Sequence, residues 1–235
     1  MEKIIELKKV YKTYNIGEIK TNALDAIDLN IYDGEILVIV GPSGSGKTTL
    51  LNAISGLDDV TSGTIKYGIL DFTKLNDRVK TKFRKNNIGF IFQTYNLLNH
   101  LNVYENVKVG SLLSKDKTDI NDILKTVKLE KHKHKEIYQL SGGEQQRVSI
   151  ARALAKNPKI MFCDEPTGAL DEKTGKIVLQ SLVNINEKYK TTIIIITHNP
   201  GIALIGDRII KMNSGCIVET IKNDFRIKPK DIPWG

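Results

Sequence analysis

The run ILVIV at residues 36–40 leads without a break into GPSGSGKTTL at 41–50. Five consecutive aliphatic side chains leave no polar face, so this segment must be buried on both sides. Nothing in a hydrophobic core asks such a strand to end in three glycines, two serines and a lysine. The spacing is G-x-x-x-x-G-K-[ST], filled by Gly41, Gly46, Lys47 and Thr48, with an apolar strand before it and a helix-forming segment after it. Glycines let the backbone fold into a concave nest whose amides point inward, where a Cβ would intrude. The following helix adds the partial positive charge of its N-terminus. Gly41, Ser43, Gly44, Ser45, Gly46, Lys47, Thr48 and Thr49 are therefore candidate contacts to a polyphosphate. Lys47 is expected to reach the β- and γ-phosphates, and the Thr48 hydroxyl to ligate Mg²⁺. The loop implies a nucleoside triphosphate; it does not say what the energy is used for.

A chain of 235 residues, 40% hydrophobic, suits one globular unit with room for an inserted lobe. Two distant cysteines, Cys163 and Cys216, make a disulfide framework or zinc site an unsuitable reading and fit a reducing compartment. The start, MEKIIELKKVYKTYN, has no apolar signal core, and the longest aliphatic run, IIIIT at 193–197, is too short to cross a bilayer. A cytoplasmic, soluble chain is expected. The net charge of +8 permits nucleic acid, anionic membrane or phosphate partners and selects none. The basic stretch Lys74 to Lys85 reads as a solvated helix face. KHKHKE at 131–136 carries His132 and His134, too few ligands for a convincing metal site.

Short β-like runs open the chain: 4–10, 23–32 and 35–40, with Asp33-Gly34 as a hairpin-type turn signal between the last two. KTTLLNAISG reads as a helix stopped by Gly56, and 63–68 and 88–93 as further strands. From 94 to 155 the pattern becomes helical. Strand character returns at 159–163 and 191–197, with a helix between them, and the tail carries a two-strand pattern turning at Asn213-Ser214-Gly215. Doubly apolar strands alternating with helices predict an α/β fold built on a mainly parallel sheet covered on both sides. The expected organisation is a core made of 1–93 and 156–235, with a helical lobe inserted at 94–155.

KIMFCDEP puts Asp164 and Glu165 at a strand end, where ligands bind in α/β sheets. Asp164 is expected to hold Mg²⁺, and Glu165 to orient and deprotonate an attacking water. Gln93, closing IGFIFQ, is placed to reach Mg²⁺ or water. His198, closing TTIIIITH, is placed to contact a γ-phosphate. In LSGGEQQRVSIARAL, 140–154, Ser141 and Glu144 form an S-x-x-E capping box, and Gly142-Gly143 expose amides at a helix start, a second anion site.

LSGGE is the signature of ATP-binding cassette (ABC) proteins, and the chain resembles that family over nearly its full length, in the P-loop NTPase ABC ATPase fold with an N-terminal antiparallel β subdomain and an inserted α-helical subdomain. On that resemblance Gly41–Thr48 matches the Walker A loop, Gln93 the Q-loop, 140–144 the signature, 160–164 Walker B, Glu165 the catalytic glutamate, Ala169-Leu170-Asp171 the D-loop and His198 the switch histidine. Tyr14 falls where the family stacks an aromatic on adenine, with Tyr11 as the rival. The resemblance implies ATP and Mg²⁺ as cofactors, catalytic Glu165, His198 and Gln93, Mg²⁺ held by Thr48, Gln93 and Asp164, and nucleotide contacts from Ser141, Gly142, Gly143, Glu144 and Asp171. It also implies a head-to-tail, ATP-dependent homodimer.

Residues 93–107 together with the signature and DEPTGALD resemble the branch that includes macrolide export, lipoprotein release, bacitracin resistance and a cell-division ATPase. That implies an integral membrane permease on a separate chain and a peripheral position on the inner face of the cell membrane. Tyr95, Leu97 and Leu98 are the expected docking surface. A regulatory ATPase of a membrane complex shares every motif. A soluble ATPase acting on nucleic acid remains a further alternative, but one cassette without coiled coil or zinc spacing makes nucleic acid an unexpected partner. The tail from Asn223, NDFRIKPKDIPWG, is mostly polar and carries Trp234, and its role stays open.

Overall fold

The structure, a computed structural model, describes residues 2–17, 19–114, 116 and 118–234. In chain order its elements are β1 (Lys3–Ile16), β2 (Ile19–Tyr32), β3 (Ile36–Val40), α1 (Lys47–Ser55), β4 (Ser62–Tyr67), β5 (Leu70–Asp71), α2 (Asp77–Asn87), β6 (Ile88–Ile91), α3 (Val103–Ser111), α4 (Ile120–Thr126), α5 (Gly142–Ala155), β7 (Ile160–Asp164), α6 (Glu172–Tyr189), β8 (Thr192–Thr197), β9 (Arg208–Asn213) and β10 (Cys216–Lys222). Two sheets form. One is antiparallel, in the order β2-β1-β4-β5; the other has six strands in the order β10-β9-β3-β8-β7-β6. In the larger sheet the pairs β9–β3, β3–β8, β8–β7 and β7–β6 are parallel, and β10 closes one edge antiparallel to β9.

Every residue of β3 and β8 is buried, and alternation along them decides which core each side chain joins. Ile36, Val38, Ile193 and Ile195 face a cluster completed by α3, α4, α5 and α6. Leu37, Ile39, Ile194 and Ile196 face the other cluster, made by α1 and the antiparallel sheet. Burying each such side chain contributes about 1.5–3 kcal/mol. The central strands are thus held from both faces, and their carboxyl ends are fixed in space. The helices α3, α4 and α5 lie between β6 and β7 in the chain, and α3 approaches α5 so closely that a Cβ on Gly110 would stand 2.1 Å from the Arg152 carbonyl oxygen.

The expected hairpin at Asp33-Gly34 does not form. The turn is there, with Gly34 at φ 71°, but β2 pairs with β1 while β3 enters the other sheet between β9 and β8. A strand apolar on both faces gains more at the centre of a covered parallel sheet than beside an amphipathic neighbour. The crossing is pinned by Glu35, 1% exposed, which accepts a bidentate pair from Arg208 Nε and Nη2 (2.8 and 2.9 Å) and a bond from the Tyr32 amide (2.8 Å). The first two strands are also longer than their apolar runs, and β6 stops at Ile91, leaving Phe92 and Gln93 beyond the sheet. The basic stretch does form a helix, α2, capped by Asn76, but Lys80 departs from the solvated reading: it is buried and paired with Asp59.

The tail is docked. Ile232 is buried, the Ile227 amide donates to the Leu204 carbonyl (3.1 Å), and the Trp234 ring lies against α6, where a Cβ on Gly175 would come within 2.2 Å of it. Trp234 is the chain's single tryptophan. Gly175→Val is expected to lift the indole off α6, shift tryptophan emission to longer wavelength and lower unfolding stability by about 1–3 kcal/mol.

Candidate functional site

The loop from β3 to α1 explains its own glycines. A Cβ on Gly41 would meet the Met212 carbonyl oxygen at 2.3 Å, and one on Gly46 the Ala23 carbonyl oxygen at 2.4 Å. Gly46, at φ 95°, is the residue before α1; it offers no side-chain cap, and the first turn of α1 has no acidic residue. The opening amides of the helix therefore face outward with no anion supplied by the chain itself. Lys47, 8% exposed, folds back to donate to the carbonyls of Gly41 (2.8 Å) and Pro42 (2.9 Å). Ser45 Oγ is buried without a hydrogen-bond partner. A cavity of about 410 Å³ opens over this loop, walled by residues 43–49, by Asn22 and Ala23 of β2, and by Glu165, His198 and Ser214.

Because β7 and β8 run parallel to β3, the residues that directly follow them, Glu165 and His198, reach the same cavity. Burial raises the Asp164 carboxyl above the ordinary range and the neighbouring Glu165 charge adds to it; a hydrogen bond with Thr48 and the Lys47 charge only partly oppose this. Glu165 adopts φ 47°, an uncommon left-handed conformation for this residue type, and its amide donates to the Ile196 carbonyl (3.0 Å). Its Oε1 lies 2.9 Å from His198 Nδ1, while Oε2 is buried and unpartnered. His198 is otherwise open to solvent, its side chain 65% exposed.

Other candidates stand at greater remove. Gln93 does not line the cavity; it lies against Gly168, where a Cβ would stand 3.0 Å from its Nε2 and 3.5 Å from the Glu165 Cβ. Asp171 caps α6, accepting from the Thr174 amide at 3.0 Å. Tyr14 pairs in register with Thr21, beside the cavity wall, and donates its hydroxyl to Asp58 (2.5 Å), with the Lys12 ammonium 4.8 Å from its ring centre. Tyr11 stands across from Ser62 on β4 instead.

At the start of α5 the capping box forms as expected between Ser141 and Glu144. None of Ser141, Gly142, Gly143 and Glu144 lines the loop cavity. Gly143 has a second duty that sequence reasoning missed: a Cβ there would meet Thr174 Cγ2 at 1.9 Å, so α5 packs on α6 only through a glycine. Glu144 Oε1 sits 3.1 Å from His132 Nε2, which gives that histidine a carboxylate partner. Burial pushes the Glu144 carboxyl up, but bonds from Ser141 and the charges of His132 and Lys135 outweigh this and hold it below the usual range. Leu97 packs into the larger core, so of the three expected docking residues only Leu98 is exposed, with Tyr95 half-buried against Gly142. Gln146, fully buried on the inner face of α5, was not foreseen; a polar residue on the stripe shared with Gly143 and Ile150 is the signal that marks it.

The sequence model of the family described as ABC transporter matches residues 24–168. The ABC transporter ATP-binding protein MG065 homolog of Mycoplasma pneumoniae is 48% identical over 238 residues, covering 99% of this chain and 51% of that protein. The ABC transporter ATP-binding protein MJ0796 of Methanocaldococcus jannaschii is 44% identical over 222 residues, 90% of this chain and 94% of that protein. A dimeric structure of a post-hydrolysis state of the MJ0796 cassette, bound to ADP and Pi, superposes with a TM-score of 0.84 at 40% identity, covering 94% of this chain and 100% of that one. The cbiO1 structure from Clostridium perfringens, described as part of the ABC transporter complex cbiONQ, superposes with a TM-score of 0.84 at 29% identity, covering 98% of this chain and 90% of that one. The chain spans about half the length of the first curated relatives it matches.

The raised Asp164 carboxyl stabilises the fold below its unfolded value, and that contribution is lost as pH rises through the folded one. At neutral pH the buried charge is a cost. Asp164→Asn is therefore expected to raise the thermal midpoint of the ligand-free protein above wild type at pH 7, with the difference shrinking toward pH 4, as read by calorimetry across that range.

Proposed function

The chain belongs to the ABC transporter ATP-binding family, and from that premise we propose that it hydrolyses ATP within a head-to-tail pair of cassettes and passes the resulting closure and opening to an integral membrane permease on a separate chain. The observation that carries the dimer is the separation of the two anion sites: the loop at 41–48 and the amides of Gly142 and Gly143 do not share a cavity in one chain. One chain's loop and its partner's helix start then hold each nucleotide between them. The helical segment 94–155 serves as the lobe that carries this second site, moving against the core of 1–93 and 156–235.

The loop amides and Lys47 hold the phosphates, the lysine exchanging its two carbonyl partners for phosphate oxygens. Tyr14 supports the base, its ring steadied through the bond to Asp58. The Thr48 hydroxyl and the Asp164 carboxylate form a hard oxygen pair whose unrelieved charge suits Mg²⁺, with Gln93 as a further amide oxygen; when bound, the ion neutralises charge on the transferring phosphoryl group. Glu165 takes the proton of the attacking water; its buried, unpaired Oε2 leaves the carboxylate with bonding capacity the protein does not use. His198 holds the other oxygen, so the carboxylate is oriented before water arrives. Asp171 and its loop run beside the pair's interface.

None of the described helices is long and apolar enough to cross a membrane. The branch resemblance is what supports a position on the inner membrane face through a permease. The exposed Leu98 supports a contact at this segment. The cargo class follows the branch resemblance: peptide, antibiotic or lipid-type substrates, or force passed to a domain outside the membrane.

Glu165→Gln is expected to lower kcat by about 100-fold or more and to accumulate a dimer in ATP and Mg²⁺, read by light scattering after gel filtration. A variant that turns over normally would remove the general base, and one that stays monomeric would remove the pair. Lys47→Ala is expected to weaken fluorescent-nucleotide binding by about tenfold or more, consistent with loss of a charge-assisted contact worth about 1.5–3 kcal/mol.

A further inference from the structure

We infer that Gln146 is a positioning residue for the general base, acting as a buried strut between the signature helix and the two strand ends that carry Glu165 and Gln93. The inference rests on the reading of Glu165 just proposed. Gln146 is fully buried in α5. Its Nε2 donates to the Pro166 carbonyl at 2.9 Å and to the Phe92 carbonyl at 3.3 Å. Pro166 directly follows Glu165, and Phe92 directly precedes Gln93. One amide nitrogen has two hydrogens, so both are spent on these carbonyls.

The rest of the geometry makes this more than packing. Glu165 sits at φ 47°, a conformation that persists only when its surroundings hold it. One support is the bond from its own amide to the Ile196 carbonyl. A second is the Gly168 amide, which donates to the Glu165 carbonyl at 3.1 Å, and a third is Gln146, which holds the carbonyl of the following residue, Pro166. The remaining end of the amide, Oε1, is buried with no partner. A glutamine kept fully buried with half its bonding capacity unused is a poor stabiliser, and such a group calls for a role beyond stability. On the same helix Arg152 donates to the carbonyls of Asn96 (2.7 Å) and Tyr95 (3.2 Å), which ties the segment after Gln93 to α5 a second time.

The consequence is mechanical. The start of α5 carries the amides of Gly142 and Gly143, and Gln146 lies one turn further on. A rotation of α5 when those amides engage a phosphate moves Nε2 relative to both carbonyls. The bonds at 2.9 and 3.3 Å cannot both be kept unless the Pro166 and Phe92 peptides follow. Occupancy at the signature is thereby reported to the carboxylate that activates water.

The test uses the full chain with Gln146→Met, which keeps volume and removes both donors, and Gln146→Asn, which keeps the amide but falls one methylene short. Both are expected to lower kcat about 10- to 100-fold, the range expected of a reacting group misplaced by about 1 Å, while nucleotide Kd stays within about twofold of wild type. Added to Glu165→Gln, Gln146→Met should leave the residual turnover unchanged, because the group it positions is already gone. Full kcat in both single variants would overturn the inference, and so would a further loss of the same factor in the Glu165→Gln background. If Glu165→Gln itself turned over normally, the proposed function would fail first; if it is inactive while both Gln146 variants work normally, only the strut fails.

Discussion

Two adjacent carboxylates and a helix start that nothing caps set the terms for the rest of this structure. Asp164 leaves β7 in a place where burial and its neighbour both resist its charge. A short distance away the amides opening α1 have no acidic side chain to answer them, and Lys47 is turned to two backbone carbonyls. The protein holds excess negative and excess positive potential side by side and lets them cancel only in part. A cation alone relieves one half and a phosphate alone the other; a magnesium polyphosphate relieves both. The parallel sheet supplies this arrangement, since β3, β7 and β8 end on the same side and deliver loop, Glu165 and histidine to one cavity, with Asp164 one residue before Glu165.

What was legible in the sequence is what is encoded locally. Runs apolar on both faces announce β3, β7 and β8, the Ser141–Glu144 spacing announces a helix start, and Gly56 ends α1 in a left-handed conformation as read. Pairing between strands is not local. Asp33-Gly34 specifies a turn, but whether the strands on either side join depends on how many faces each must bury, and β3 needs two. The pair that pins the crossing, Glu35 with Arg208, spans 173 positions in sequence. The docked tail was illegible for the same reason: Trp234 in a mostly polar segment means nothing until Gly175 opens a place for its ring.

At the site, residue types were legible and their division of labour was not. The motif spacing points to Glu165 and His198 separately; that they form a pair at 2.9 Å, leaving one carboxylate oxygen unsatisfied, is a fact of tertiary structure. Gly143 reads as an exposed amide at a helix start, yet Thr174 gives it an equally strict packing reason. These two demands are linked. The closeness of α5 to α6 that excludes a side chain at 143 also fixes the direction in which the helix start faces.

That direction bears on how the signature tolerates its own charge. Glu144 places a carboxylate in the first turn of α5, which repels any incoming phosphate, even though it caps the helix. His132 at 3.1 Å, with the charges of Lys135 and Arg147 nearby, compensates it. The capping box uses the amides of Ser141 and Glu144 and leaves those of Gly142 and Gly143, which have no partner within the helix. On the proposed reading, an anion therefore meets two free amides beside a carboxylate whose charge is locally balanced. On that same reading, since this helix start does not line the loop cavity, the phosphate that reaches those amides would arrive bound to another copy of the chain.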